Sequence, residues 1–508
     1  MIVIILGFVF ASLVIFYRNE LYWFLNAQKY KKQGIATRYY PVLGYMKWVN
    51  TPGTKDGDGL VNWRKTFHKN GDPTKSEPLI LTKGVGSDPI LFINDEKLAK
   101  EWFTLRSKFS MPINATNLPF QESYFFKENK TALFQRGMMS KLFLIDSLRQ
   151  LSPTAIKMIK RSLEQAKRRA LEKGKKGEFV EISFEENIKM ITTDVVGFML
   201  FGGETPTVEG VPITLQLDKV TSGYFVYSMT NFWHKVTGGL STKLGLSAEY
   251  NNVKRIHDAC LEEIKKVVHH RTHSKDSIPG LNMVDIIIDY NKKVEEQGLP
   301  EKALNSKEIL DNIVMFVFAA VDTSNTFART CIHLLGKHQD YQKKLREEVR
   351  KDILTGEDLF DDYYYSDYLD KFITECFRVH GPAWANFYAR TFKNFKMGDI
   401  KVYKGTGIMV SFYTIQKKPE IFEDPMKFDL KKYEDKKKTK QMKKNLLVPF
   451  GGGNRSCAGQ NLAMMSIKIL VANLVNMFEI KPSSTPITTH AAITVAVSHS
   501  TAKLRVLS

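Results

Sequence analysis

The chain has 508 residues, 43% hydrophobic and 25% charged, with 74 Lys plus Arg against 54 Asp plus Glu. That length and apolar content exclude a disordered chain and predict a substantial buried core. The lysines are dispersed, so a solvated basic surface is expected and no nucleic-acid partner; four cysteines without a CxxC pair argue against a disulfide framework or a zinc cluster.

Ile2–Tyr17 carries no charge, and Arg18, the interfacial pair Tyr22 and Trp23, and Lys29–Lys32 follow it. Basic residues after an apolar run, with no small-residue cleavage site, predict an uncleaved membrane anchor with the rest of the chain in the cytosol. The anchor is placed at residues 1–25, a basic linker at 26–40 and one folded domain at 41–508, entered through the Pro/Gly turn Tyr39–Met46. The sequon Asn114–Thr116 would go unused on that side of a membrane. Helical apolar spacing is clearest in Ser152–Glu172, Ala248–Thr272 and Ser306–Arg350. Strand-like runs are shorter: Pro78–Gly84, Pro89–Asn94, Phe179–Phe184, Asp399–Ser411 and Ile493–Val497. The expected fold class is therefore mainly α with small sheets.

Within the third helix, Ile313–Ser324 is apolar all round and then presents Asp322 and Thr323, an acid and a hydroxyl in an otherwise apolar segment. Glu375 and Arg378 share a helix face at i, i+3 spacing and can form an ion pair. Lys431–Lys444 is a lysine-rich loop, which reads either as a solvated loop or as a docking surface. Just beyond it, "FGGGNRSCAG" (Phe450–Gly459) puts Cys457 immediately before a helix amino terminus. The helix dipole there favours a thiolate, the glycines allow close backbone approach, and Arg455 offers a fork of donors for a carboxylate. Together these suit a haem, with sulfur on iron and Arg455 on a propionate.

Phe450, Gly453, Arg455, Cys457 and Gly459 fit F-x-x-G-x-R-x-C-x-G, which resembles the cysteine-ligand loop of cytochrome P-450, the haem-thiolate monooxygenases. "AAVDTS" (Ala319–Ser324) is similar to that family's oxygen-groove motif, with Ala320 where its Gly stands, and Glu375–Arg378 matches its E-x-x-R. The resemblance implies the cytochrome P-450 fold: about a dozen helices with small β-sheets, and haem b between the long central helix and the Cys-ligand helix. It implies Cys457 as axial ligand, Thr323 and Asp322 as the proton relay for dioxygen cleavage, and Arg390 and Arg136 as propionate contacts. The ion pair Glu375–Arg378 is structural there, joined by a third cation that falls at Lys432. Met315, Ala319, Ala383 and Trp384 are implied to line the pocket of a small apolar substrate. Electrons are implied to come from NADPH through a flavoprotein reductase, with cytochrome b5 as a further partner, at the endoplasmic reticulum membrane. A haem-thiolate isomerase or dehydratase of peroxides and a non-catalytic haem gas sensor are the alternatives; the Asp322–Thr323 pair argues against both.

Overall fold

The structure is a computed structural model that describes residues 2–39, 72, 75–83, 88–112, 120–127, 129–174, 177–230, 244–245, 247–273, 281–353, 359–386, 389–445, 449–485, 488–491 and 494–507. The expected turn after Tyr39 and the sequon Asn114–Thr116 lie outside them.

Helix α1 (Ile2–Lys31) leads into β1 (Ala36–Arg38), β2 (Leu79–Lys83) and β3 (Pro89–Ile93). Then come α2 (Glu96–Phe109), β4 (Ser110–Pro112), α3 (Asn129–Met139), α4 (Ile145–Lys173) and β5 (Val180–Ser183). The helices α5 (Glu185–Phe201), α6 (Ile213–Thr230), α7 (Ala248–His273), α8 (Met283–Glu296), α9 (Ser306–Lys337), α10 (Gln339–Glu348), α11 (Leu359–Tyr365) and α12 (Asp367–His380) follow. The last part runs through β6 (Ala389–Thr391), β7 (Phe395–Met397), β8 (Ile400–Val402), β9 (Gly407–Val410), α13 (Lys436–Asn445) and α14 (Gln460–Met477). It closes with β10 (Phe478–Pro482), β11 (Thr489–Ala491), β12 (Val495–Val497) and β13 (Thr501–Val506). The mainly helical expectation holds.

Two apolar cores form. The larger unites α4, α5, α9, α12 and α14. The smaller lies under a mixed sheet of order β1-β2-β3-β9-β6-β4 and includes Trp102 and Phe103 of α2. The expected strand Asp399–Ser411 is two strands, because the ladder is interrupted around Gly405, at φ 87°, between β8, which pairs with β7, and β9, which continues the same hairpin against β6.

The long helix α9 starts on a capping box, in which the Asn305 side chain accepts from the Glu308 amide and Glu308 accepts from the Asn305 amide. It stops at Lys337, so the periodic run expected through Arg350 is two helices broken at His338.

The amino-terminal division at residue 25 needs correction. Helix α1 runs on to Lys31; Trp23, Ala27 and Tyr30 are buried in the sheet core, and the Tyr30 hydroxyl meets Thr406 Oγ1 at 2.7 Å. Residues 36–38 then pair with β2. The segment expected as a linker is thus packed structure, because its aromatic residues find apolar partners. Among the described residues no helix is long and apolar enough to cross a membrane.

The E-x-x-R pair is fully buried. Arg378 Nε donates to Glu375 Oε2 at 2.7 Å and Nη2 to Oε1 at 2.8 Å. The remaining guanidinium donors meet the carbonyls of Gln416, Pro425 and Lys427. Glu375 accepts further from the Asp429 amide at 2.9 Å and the Tyr433 hydroxyl at 2.7 Å. Lys432, expected as third member, instead donates to the Lys427 carbonyl at 3.2 Å near the surface. A buried ion pair persists only when its remaining donors and acceptors are satisfied; here a tyrosine hydroxyl does what the lysine was expected to do. Tyr433→Phe should therefore lower stability by about 1–3 kcal/mol, and Lys432→Ala by less than about 0.5, in thermal denaturation.

Candidate active site

The cysteine loop is closed by its own backbone: the Cys457 amide donates to the Phe450 carbonyl at 2.8 Å, and the Ser456 amide to Gly453 at 3.1 Å. Phe450 sits edge-on to Phe377 of α12, centroids 5.0 Å apart, and Phe377 stacks on Phe327 of α9 at 3.7 Å. One aromatic column thus ties the loop to the E-x-x-R helix and to the long central helix.

The glycines serve a neighbour within the chain. A Cβ on Gly453, at φ 68°, would lie 2.3 Å from the Phe103 carbonyl oxygen; one on Gly452 would lie 2.6 Å from the Phe103 ring. Their lack of side chains lets the loop seat on α2. Gly459 is different: a Cβ there meets only the Phe143 ring edge, at 4.0 Å.

Cys457 is exposed at its surface yet surrounded by protein. Burial pushes its thiol up, opposed by the Gly459 amide and the Arg136 guanidinium. A coordinated metal ion would favour the thiolate there.

Arg136 of α3 donates to the Ser456 carbonyl and, at 3.4 Å, to the Ser456 hydroxyl. Arg455 donates to the carbonyls of Tyr124 at 3.2 Å and Lys127 at 3.0 Å. Arg106, at the end of α2, is held down to about 10 by burial and by the charge of Arg455; burial and Arg136 hold Arg455 down to about 10 as well. Guanidinium groups from three segments thus come near the cysteine loop, and the carboxylates of a bound ligand would offset their mutual repulsion. Arg106 is the member the sequence did not reveal.

On α9 the residues Phe316, Ala319, Ala320 and Thr323 are not buried, whereas the rest of that segment's apolar side chains are. They lie at i, i+3, i+4 and i+7, one open stripe on a core helix. Phe316 contacts Phe143, centroids 5.7 Å apart, and Phe143 is the ring next to Gly459. The stripe and the cysteine loop therefore share a wall. Thr323 Oγ1 donates to the Ala319 carbonyl at 2.8 Å, and Asp322 Oδ2 accepts from the Thr494 hydroxyl at 3.1 Å. Burial pushes the Asp322 carboxyl up, with Thr494 and Arg329 opposing.

Four expected residues stand elsewhere. Arg390 pairs with Asp88 at 3.2 Å on the sheet, and none of its described contacts reaches Cys457 or Arg455; Ala389 and Thr391 face inward on β6, so strand alternation turns Arg390 outward. Trp384 is buried, stacked on Phe92 at 6.0 Å. With Ala383 it lines a recess beside Arg378 and Lys417 that none of Ala319, Thr323 or Cys457 lines. Met315 is buried in the main core, out of the open stripe.

A single soft sulfur, a cluster of guanidinium groups and an apolar stripe fit an iron porphyrin: sulfur for the metal, cations for two carboxylates, apolar walls for the ring. A family model described as cytochrome P450 matches residues 38–505. The chain is 23% identical over 409 residues to cytochrome P450 709B3 of Arabidopsis thaliana, covering 78% of this chain and 75% of that protein. It is 23% identical over 413 residues to cytochrome P450 3A13 of Mus musculus, covering 78% of each. Over 182 residues, 36% of this chain and 39% of the relative, it is 30% identical to cyclooctat-9-en-7-ol 5-monooxygenase of Streptomyces melanosporofaciens.

Gly453→Ala adds a left-handed backbone penalty and a clash with a carbonyl, so it should cost at least about 2 kcal/mol. Gly137→Ala, where a Cβ meets nothing within 4 Å, should be neutral or stabilising. Thermal denaturation of the two variants side by side checks this.

Proposed function

The chain belongs to the cytochrome P450 family and is an oxidoreductase that incorporates molecular oxygen, and we propose that it does so as a haem-thiolate monooxygenase of a small apolar substrate. The observation that carries this is the shared wall: Phe316 and Phe143 join the stripe that ends in Thr323 to the cysteine loop. Cys457 would hold the iron, and Arg136, Arg455 and Arg106 the two carboxylates. When bound, the haem supplies the reductive activation of dioxygen.

The chain's own residues supply the rest. Ala319 and Ala320 leave space on the stripe for a ligand, and Phe316 and Phe143 keep it apolar. Thr323 keeps its hydroxyl on that stripe, with oxygen lone pairs available while its hydrogen is on Ala319. Asp322 holds a proton to higher pH than an ordinary carboxyl and hands it to the Thr323 hydroxyl, which passes its own hydrogen onward. A relative named as a cyclooctat-9-en-7-ol monooxygenase agrees with an apolar substrate.

Electrons come from NADPH through a flavoprotein reductase, and cytochrome b5 would use the same face. That face is α13, whose sequence is KKKTKQMKKN. Its Met442 is buried with Tyr433 and Phe422, and Phe422 lies under the Arg378 guanidinium at 5.2 Å. The lysine helix is therefore anchored on the ion-pair unit close to the ligand loop, where an acidic partner would dock. The chain sits on the endoplasmic reticulum membrane through the amino-terminal end of α1, where Phe10, Val14, Tyr17, Leu21 and Phe24 form an exposed apolar stripe at helical spacing.

Reconstituted with reductase and NADPH, the protein should place one atom of isotopically labelled dioxygen in a lipid-like substrate. Thr323→Val should keep its haem and consume oxygen but form product at least about tenfold more slowly. Intact haem with no NADPH-dependent oxygen consumption overturns the proposal. Replacing the lysines of α13 with glutamine should slow reduction several-fold at low salt, and the difference should shrink as salt is raised. Unchanged reduction kinetics at low salt exclude that docking face.

A further inference from the structure

The recess that Ala383 and Trp384 line adjoins a larger one, of about 730 Å³, across Val379 and His380. The larger recess opens where α9 ends and α10 begins, and none of Ala319, Thr323 or Cys457 lines it. Its polar side carries His333 and Lys337 of α9, His338 at the junction, His380 of α12, and Lys427. Asp340, exposed on α10, is the one carboxylate in the lining. Met426 and Phe428 make another side apolar.

His333 has a buried Nδ1 that meets no hydrogen-bond partner among the described residues. Lys337 is exposed and belongs to no ion pair among them. Lys427 Nζ lies 3.4 Å from Asp429 at a largely exposed position. Lys417, buried in the adjoining recess, donates to the Val379 carbonyl at 3.1 Å. Burial, with Lys417 and Lys337 among the neighbouring charges, holds His380 down to about 3; burial, Lys337 and His338 hold His333 down to about 4. The carbonyls that end α9 would repel an anion, but they are already engaged. Leu334 accepts from the His338 amide, and Leu335 and Gly336 accept from the side chains of Gln342 and Gln339. The first turn of α10, which has no side-chain cap, also lines the recess.

Lysines and imidazoles are single-point donors, suited to the several separate oxygens of a phosphate, whereas the planar arginine fork suited to a carboxylate is absent from this lining. We propose that this recess binds the phosphate group of a small phosphate monoester between Lys337, Lys427 and the imidazoles, with the apolar part of the ester against Met426 and Phe428. Phe428 stacks on His338, centroids 4.4 Å apart, and the Lys427 carbonyl accepts from Arg378. A bound ester therefore ties the end of α9 to the segment that solvates the buried ion pair, and stabilises the fold by mass action. The site stands apart from the oxygen chemistry and does not rest on the monooxygenase reading.

The test is calorimetric titration of the haem-loaded full chain at fixed ionic strength and about pH 7.5, where a phosphate monoester is mainly a dianion. Phenyl phosphate should bind at one equivalent and raise the thermal midpoint. It should bind at least about tenfold more tightly than phenol, benzoate or inorganic phosphate. Lys337→Gln combined with Lys427→Gln should weaken it at least about tenfold. Met426→Glu, at a half-exposed position, sets a repelling charge against the recess and should do the same. Lys343→Gln combined with Lys344→Gln removes equal charge from exposed positions of α10 outside the lining and should leave binding unchanged. Each variant is first shown to keep the wild-type haem spectrum and melting midpoint. No saturable binding of phenyl phosphate, or binding that the lining variants and the control pair alter alike, overturns the site. Benzoate binding as tightly overturns the choice of phosphate, and inorganic phosphate binding as tightly overturns the apolar contact. Displacement of bound phenyl phosphate by vesicles of phosphatidate in phosphatidylcholine would assign the ester to a lipid headgroup. Retention in their presence would assign it to a soluble molecule; both outcomes support the site.

Discussion

The buried pair of Glu375 and Arg378 is the constraint on which the rest of the site depends. Two opposite charges removed from water are costly unless every donor and acceptor is matched. Here the matching groups come from residues 416, 425, 427, 429 and 433, so satisfying the pair fixes the course of that whole segment. The segment leads into the lysine helix, whose Met442 packs against Tyr433. On the same helix as the pair, Phe377 carries the order onward to Phe450 and Phe327. Removing one partner would leave the other charged and buried and would loosen the ligand loop from below.

The loop is in turn held from two other sides. Phe103 of α2 occupies the space that the absent Gly452 and Gly453 side chains leave. Arg136 of α3 grips Ser456 beside the cysteine. Both helices also bring cationic side chains to the site, so the contacts that shape the loop assemble a positive cluster around the cysteine. Such a cluster is unfavourable by itself and becomes favourable when it meets the carboxylates of the group it fits. Structure and ligand affinity are coupled through the same residues.

The local features were legible in the sequence. The five spaced residues of the ligand loop, the i, i+3 ion pair, the acid and hydroxyl in an apolar helix and the helical and strand runs all depend on short-range spacing. What was missed depends on contacts between distant segments. Arg106 and Arg455 are separated by most of the chain, and nothing near Arg106 marks it. Tyr433 replaces the expected Lys432 because the turn Leu430–Tyr433 directs the next side chain inward, which charge matching alone could not reveal. Arg390 was placed by a family pattern, but strand alternation turns it to the surface. The end of α1 looked like a linker because its charges are visible in sequence and its aromatic partners in the sheet are not.

The most direct test of the central claim is the absorption spectrum of the reduced protein with carbon monoxide, taken on wild type and Cys457→Ala after haem loading. The account expects the long-wavelength Soret band of thiolate ligation in the wild type and its complete loss in the variant, with the ion-pair core still folded. A wild-type band at the position of nitrogen-ligated haem, or a variant that keeps the wild-type spectrum, would contradict Cys457 as the ligand around which this site is built.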